Sequence, residues 1–174
     1  MTTPTLPLAA TATPLPSPLT AGAPAQALIA TARRLRQAAA TGQARSLLRG
    51  KNIGLLCDRP DGPEAVRFQL AAAELGATVA RVLTSLAALE SEQQVADTAR
   101  VLGRLYDALE CQGLDAALVQ QLQRGAGVPV FGGLGEVGHP IDALSAAWAA
   151  DEPPLAPEAA RRYLLQAVLV QAIA

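Results

Sequence analysis

The sequence predicts a small three-layer α/β domain, in which a four-stranded parallel sheet is flanked by helices. Three observations support this prediction. Four short apolar runs alternate with stretches of helical periodicity, a pattern typical of β-α-β units with right-handed crossovers. The chain has 174 residues, 51% hydrophobic and 17% charged, which suits one domain with a substantial core. Aromatic residues make up only 3%, so we expect an aliphatic core.

The elements follow in order along the chain. Residues 1–23 are rich in Thr, Pro, Ala and Leu and carry no charge, which predicts a disordered leader. A helical period then runs from Pro24 to near Gly42. The predicted strands are the apolar runs Asn52–Cys57, Thr78–Leu83, Leu105–Cys111 and Val128–Phe131. Helices are predicted near 62–75, 91–104, 115–124 and 140–150.

The C-terminal part divides into a linker and a helix. We take 24–150 as the α/β domain and 151–157 as a Pro-rich linker. The last helix, over 158–174, is apolar on most sides, so it must be buried against the sheet domain or against another subunit.

Composition excludes several classes of function. The formal net charge is −1, so the basic excess of a nucleic-acid-binding protein is missing. No apolar run approaches the roughly 18 residues of a membrane span, and prolines interrupt the N-terminal segment, which argues against a signal peptide. We therefore expect a cytoplasmic protein. One histidine and two cysteines, Cys57 and Cys111, give no metal-ligand spacing, and we expect neither a metal nor a cofactor.

Three segments, taken in order, carry a resemblance to a known family. The segments are LLRGKNIGLLCDRP (47–60) with its continuation VRFQLAAAELGA, DTARVLGRLYDAL (97–109) and VPVFGGLGEVGHPIDAL (128–144). Together they resemble the carbamoyl-phosphate-binding half of aspartate/ornithine carbamoyltransferases, closest to the ornithine type. The resemblance implies that the family's second, amino-acid-binding domain is missing. It also implies that the last helix returns to the first domain, with Arg162 at a position that the family usually keeps.

The residues that would hold phosphate differ from the family pattern. The family has a Ser-Thr-Arg-Thr-Arg run at a helix N-terminus, where arginine forks and backbone amides bind phosphate. The matching positions here are Asp61, Gly62, Pro63, Glu64 and Ala65. We expect Asp61 and Glu64 to form a capping-box-like pair instead, and Arg67 to be a surface charge directed elsewhere.

Other positions change in the same direction. Gln112 stands where the resemblance implies an arginine, and residues 90–92, Glu-Ser-Glu, stand where it implies a basic loop. His139 matches a histidine that contacts the carbamoyl oxygen, and Asp142 replaces a glutamine. His139 is a candidate general acid or base, but we favour a capping role at the following helix.

These changes favour a degenerate, non-catalytic carbamoyltransferase homologue acting as an oligomeric scaffold or regulator. By resemblance it would be a trimer or the partner of a catalytic paralogue. One alternative is a carbamoyl-phosphate-binding component of an active enzyme. Another is a small-molecule sensor whose acidic pocket accepts a cation and contains Asp61, Gly62, Gln112, His139 and Asp142. A decaying gene fragment is a fourth interpretation, against which the intact hydrophobic periodicity argues.

Overall fold

The structure, a computed structural model, describes residues 23–82 and 91–174. The predicted leader lies outside these ranges except for Ala23, as does Glu90 of the predicted acidic loop.

Helices and strands alternate as the sequence predicts. The strands are β1 (Asn52–Leu56), β2 (Thr78–Arg81), β3 (Ala108–Cys111) and β4 (Val130–Gly132). The helices are α1 (Ala23–Ala40), α2 (Pro63–Glu74), α3 (Glu92–Leu105), α4 (Ala116–Ala126), α5 (Ile141–Asp151) and α6 (Pro157–Ile173). A short 3₁₀ turn at Gln43–Ser46, which was not predicted, precedes β1.

The four strands form one parallel sheet in the order β2-β1-β3-β4. The predicted fold class is therefore confirmed. Leu56 at the end of β1 is in register with Cys111 at the end of β3, so the carboxyl ends of the two central strands lie side by side. In open α/β sheets, this edge is where ligands bind.

The sheet separates two cores, because successive side chains of a strand point to opposite faces. Ala108 of β3 belongs to the larger core, with Phe68 and Trp148, and the next residue, Leu109, belongs to the smaller core beside Leu122. The first core is covered by α1, α2, α5 and α6, and the second by α3 and α4. Cys57 packs against the larger core and Cys111 lies in the smaller one, and both are free thiols.

Helix α6 is an integral part of the larger core. It packs against α1, α2 and α5, and its leucines 164, 165 and 169 are completely buried. Full burial of one leucine side chain contributes about 1.5–3 kcal/mol. In the structure, α6 therefore lies against the chain's own sheet domain, one of the two surfaces that the sequence left open. In the described part of the chain, no helix combines the length and apolar character needed to cross a membrane.

Candidate functional site

A cleft of about 360 Å³ opens at the carboxyl ends of β1 and β3. Among the described residues that line it, three are acids and one is an arginine. Gln112 is the one long, uncharged polar side chain of this set. The lining residues are Cys57, Asp58, Arg59, Glu64, Gln112, Gly113, Glu136 and Val137. The cleft therefore lies at the edge of the sheet where the sequence predicts a site.

The start of α2 forms one side of the cleft. Gly62, not Asp61, is the N-cap residue, and no side chain caps the helix. The predicted capping role of Asp61 is wrong, because an N-cap oxygen must come from the residue that directly precedes the first helical turn, and that residue is a glycine. Asp61 is exposed to solvent. Glu64, in the first turn of α2, lines the cleft, where the helix dipole favours its negative charge.

Residues 133–138, called here the glycine loop, form the opposite wall. Arg67 donates from Nη1 to the carbonyl oxygen of Gly135 at 2.6 Å. Arg67 is thus held against the glycine loop instead of being a free surface charge, but it does not line the cleft. Residues three apart share a helix face, so Arg67 is directed to the same side of α2 as Glu64.

A buried carboxyl group lies at the base of the glycine loop. Glu110 of β3 is completely buried. Its Oε1 accepts hydrogen bonds from the amide of Gly135 at 3.0 Å and from Nε2 of Gln112 at 3.1 Å, and its Oε2 has no hydrogen-bond partner. Burial raises the pKa of Glu110 to about 8. Hydrogen bonds from Gly135 and Gln112 and a weaker backbone contact from Leu134 act against this shift, and the nearby charge of Glu136 adds to it. Glu110 is thus mostly uncharged at neutral pH.

Gln112 joins the two walls of the cleft. Besides its bond to Glu110, its Nε2 donates to the carbonyl oxygen of Glu64 at 3.4 Å. A Cβ atom at Gly135 would lie only 2.4 Å from this nitrogen and 2.6 Å from the same carbonyl oxygen. The contact between α2, β3 and the glycine loop therefore requires glycine at position 135.

Glu136 directs its carboxylate into the cleft. Its Oε1 accepts a hydrogen bond from the amide of Gly113 at 2.5 Å. Within the residues that the structure describes, Arg59 forms no ion pair with Asp58, Glu64 or Glu136. The carboxylate of Glu136 thus accepts the hydrogen bond of a backbone amide, that of Gly113, at the carboxyl end of β3.

His139 and Asp142 belong to a separate cluster at the start of α5. The Nδ1 atom of His139 accepts from the amide of Ile141, the first residue of α5, at 3.3 Å, although the N-cap position itself is Pro140 and has no side-chain cap. Burial, followed by the charge of Arg161, lowers the pKa of His139. Asp142 accepts from the amide of Gly138 at 2.7 Å and pairs with Arg161 at 2.5 Å.

Arg161 is the buried arginine of this cluster, and the sequence analysis did not predict it. Its side chain is 7% exposed, and it also donates to the carbonyl oxygens of Leu134 and Glu136. Arg162, which the resemblance singled out, instead pairs with Glu74 at 2.9 Å, with side chains 40% and 44% exposed. In the sequence, Arg161 could be noticed only because it lies one residue before Arg162 in a helix that is largely buried.

The predicted pocket residues therefore do not share one pocket. Gln112 lines the cleft, whereas Asp61, Gly62, His139 and Asp142 do not. Glu110 was not predicted either, although a glutamate inside an apolar strand run indicates a residue with a special role. Among residues 23–82 and 91–174, no group of three or more His, Cys, Asp or Glu side chains could hold a metal ion.

Comparison with known proteins agrees with the fold. Residues 21–152 match the model of the family described as aspartate/ornithine carbamoyltransferase, carbamoyl-P binding domain. The catabolic ornithine carbamoyltransferase of Pseudomonas putida is 36% identical over 118 residues, and an ornithine carbamoyltransferase of Cutibacterium acnes is 37% identical over 118 residues. Each alignment covers 68% of this chain but 35% of the relative. The chain thus spans about a third of the length of these relatives.

Solved structures give the same result. The ornithine carbamoyltransferase from Pyrococcus furiosus matches with a TM-score of 0.61 and 30% identity, over 72% of this chain and 41% of that one. An aspartate transcarbamoylase from Trypanosoma cruzi, solved in complex with phosphate, matches with a TM-score of 0.55 and 25% identity, over 70% of this chain and 39% of that one. The chain belongs to the aspartate/ornithine carbamoyltransferase family and carries its carbamoyl-phosphate-binding domain.

Proposed function

We propose that this chain is a non-catalytic member of the carbamoyltransferase family, and that its cleft does not hold carbamoyl phosphate. One observation carries the proposal. Among the described residues, the cleft at the carboxyl ends of β1 and β3 is lined by Asp58, Glu64 and Glu136 and by a single cation, Arg59. A dianionic ligand would meet more negative than positive charge there.

The energetic argument concerns charge-assisted hydrogen bonds. Each such bond is worth about 1.5–3 kcal/mol, and by resemblance two arginines of the 61–65 run and a third at Gln112 are absent. Their combined loss is comparable with the about 4–8 kcal/mol of millimolar to micromolar binding. Pro63, at the first position of α2, has no amide hydrogen to donate to a phosphate. Ala65 is buried, at 1% exposed, and its methyl group is not a hydrogen-bond donor.

Calorimetry and an activity assay test the proposal. We expect no heat and no thermal stabilisation with millimolar carbamoyl phosphate, and no carbamoyl transfer to ornithine. The double substitution Glu64→Gln with Glu136→Gln removes the repelling charges, and should increase any residual affinity for inorganic phosphate. Glu158→Gln removes the same type of charge from an exposed position of α6 and should change nothing. Saturable binding of carbamoyl phosphate, or transfer by the wild-type chain, would contradict the proposal and favour the alternative of an enzyme component.

The biological role that we propose is assembly, as a scaffold or as the partner of a catalytic paralogue in the cytoplasm. Helix α6 is buried within its own chain, so another surface must make the contact. Helix α3 offers one, because Val101 and Leu105 are 55% and 62% exposed. Both border a second cavity, of about 580 Å³, beside Val82 and Tyr106. Sedimentation should show an assembly that Val101→Ser with Leu105→Ser weakens.

A matched control separates this surface from general hydrophobicity. Leu70 and Val66 of α2 are 60% and 41% exposed, so Leu70→Ser with Val66→Ser removes a similar apolar area elsewhere. We expect this variant to assemble like the wild type. A wild-type chain that stays monomeric at high concentration, with no co-purifying partner, would argue against the assembly role.

The sensor alternative has one observation in its favour. The carboxylates of Asp58, Glu64 and Glu136 line one cleft without an ion pair among the described residues, so a small amine or guanidine would be complementary in charge. These residues differ from the pocket predicted by sequence, in which Asp142 is already paired with Arg161. A thermal-shift screen of cationic metabolites tests this alternative. Failure of every amine and guanidine to stabilise the chain would count against it.

A further inference from the structure

One buried carboxyl group connects the glycine loop to the sheet. The Oε1 atom of Glu110 accepts from the amide of Gly135 and from Nε2 of Gln112, while Oε2 is buried without a partner. We propose that Glu110 is a proton-dependent latch, which holds the glycine loop against β3 as a neutral acid and releases it as a carboxylate. The proposal concerns regulation of the cleft assigned under the proposed function, and it does not depend on the absence of carbamoyl transfer.

The surroundings of Glu110 favour the neutral acid because burial outweighs the hydrogen bonds. The bonds from Gly135 and Gln112 to Oε1 favour the carboxylate, but burial disfavours the charged form more strongly. A buried carboxylate oxygen that accepts no hydrogen bond loses its hydration without compensation. With the loop closed, Glu110 therefore keeps its proton up to a pKa of about 8, whereas a hydrated Glu110 would lose it near the ordinary value of 4.5. Opening of the glycine loop, which contacts Glu110 through Gly135, thus becomes more favourable as pH rises between these two values.

Charged and titratable groups around Glu110 act in both directions. They are Glu64 and Arg67 of α2, Glu136 of the glycine loop, Arg161 of α6, and the thiols of Cys57 and Cys111. Glu136 repels an ionised Glu110. The two arginines donate to carbonyl oxygens of the glycine loop and oppose its release. Burial raises the pKa of both thiols, to about 12 for Cys111, so neither thiol is expected to ionise before Glu110.

Release of the loop would change the cleft through Glu136. This residue directly follows Gly135, and its carboxylate occupies the amide of Gly113. When Gly135 separates from Glu110, the carboxylate of Glu136 moves with the loop, and the amide of Gly113 becomes free. The latch thus connects a proton on β3 to the shape and charge of the cleft.

Hydrogen exchange of the full chain tests the latch without any ligand. Protection factors for amides in residues 133–138 correct for the pH dependence of intrinsic exchange. We expect protection in the wild type to fall by up to about tenfold per pH unit as pH rises from near 4.5 towards 8, and to level off above it, while it stays constant in Glu110→Gln. Glu136→Gln removes a like charge and so lowers the pKa of Glu110 in the closed loop, and its loss of protection should be smaller and should level off at lower pH. Glu158→Gln should behave as the wild type. Constant wild-type protection between pH 5 and 8, or an equal loss in Glu110→Gln, overturns the proposal.

A second measurement covers the case in which Glu110→Gln does not fold. Carbon-13 NMR of the wild-type glutamate carboxyl groups should show one glutamate with a midpoint near 8, against an ordinary value of 4.5. Amide shifts of the glycine loop should follow the same midpoint. If every glutamate titrates near its ordinary value, the latch does not exist. Binding of carbamoyl phosphate would contradict the proposed function and leave this titration unchanged.

Discussion

Arg161 and Arg162 are consecutive residues of α6 in opposite environments, which makes them a matched pair for substitution. Arg161 pairs with Asp142 with side chains 7% and 31% exposed, and Arg162 pairs with Glu74 with side chains 40% and 44% exposed. Replacement of each arginine by methionine removes one charge and keeps a long apolar side chain. We expect the two variants to differ strongly in their free energy of unfolding.

The magnitude follows from burial. Removal of one partner from a fully buried ion pair costs about 3–5 kcal/mol, because the other charge is left uncompensated. Asp142 is partly exposed and can regain some hydration, but the bonds from Arg161 to Leu134 and Glu136 are lost as well. We therefore expect a loss of about 3 kcal/mol for Arg161→Met. An exposed pair such as Arg162–Glu74 is worth about 0–1 kcal/mol.

Urea unfolding of the three proteins measures this difference, and thermal unfolding gives a second estimate. A loss of 3 kcal/mol corresponds to a decrease in Tm of about 6–12 °C for a domain of this size. Arg161→Met combined with Asp142→Asn should lose less than the sum of the two single variants, since the pair is then removed as a unit. Equal losses for Arg161→Met and Arg162→Met would refute the assignment of Arg161 as the buried anchor.

Three further predictions concern stability. The folded-state pKa of Glu110 is about 8 and the ordinary value is 4.5, so between these pH values the native state holds a proton that the unfolded state has lost. The free energy of unfolding should therefore fall as pH rises through this window, by at most about 1.4 kcal/mol per pH unit. If Glu110→Gln shows the same decrease with pH, Glu110 is not its cause. Gly103→Ala should destabilise the chain by more than about 2 kcal/mol, because a Cβ there would lie 1.7 Å from the carbonyl oxygen of Ala126. This clash outweighs the better helix propensity of alanine. Denaturant unfolding of the variant measures the loss. Truncation after Ala156 removes the buried face of α6 and should abolish cooperative unfolding observed by circular dichroism.

Periodicity was sufficient to predict the fold. Alternating apolar runs gave all four strands, and the largest error lies at the start of β3, predicted at Leu105 and observed at Ala108. Helix α3 extends through Leu105 and ends at the cap residue Tyr106, so the predicted strand includes the last residue of the helix and its cap. Such end effects depend on backbone hydrogen bonds that hydrophobicity alone does not specify.

The site was harder to predict, because a shift of one position along the chain changes which side chain is buried or caps a helix. Successive helix residues differ in direction by about 100°, so choosing Arg162 instead of Arg161 selects an exposed side chain instead of a buried one. The choice of Asp61 instead of Gly62 as the N-cap failed for a similar reason, since the cap is a single backbone position. Glu110 was overlooked because an apolar run was treated as uniformly apolar, although one charged residue in such a run requires a partner or a proton.

The buried pair of Arg161 and Asp142 also bears on whether the chain is a decaying fragment. Loss of Arg161 alone would cost about 3 kcal/mol, a large part of the about 5–15 kcal/mol that stabilises a typical domain. A chain free of selection for folding would have no reason to retain both. Arg161, Arg67 and Glu110 come from three different elements and all bind the glycine loop, so several independent changes would each have disrupted it. This set of contacts favours a chain that still has to fold, with the wall of its cleft held in place.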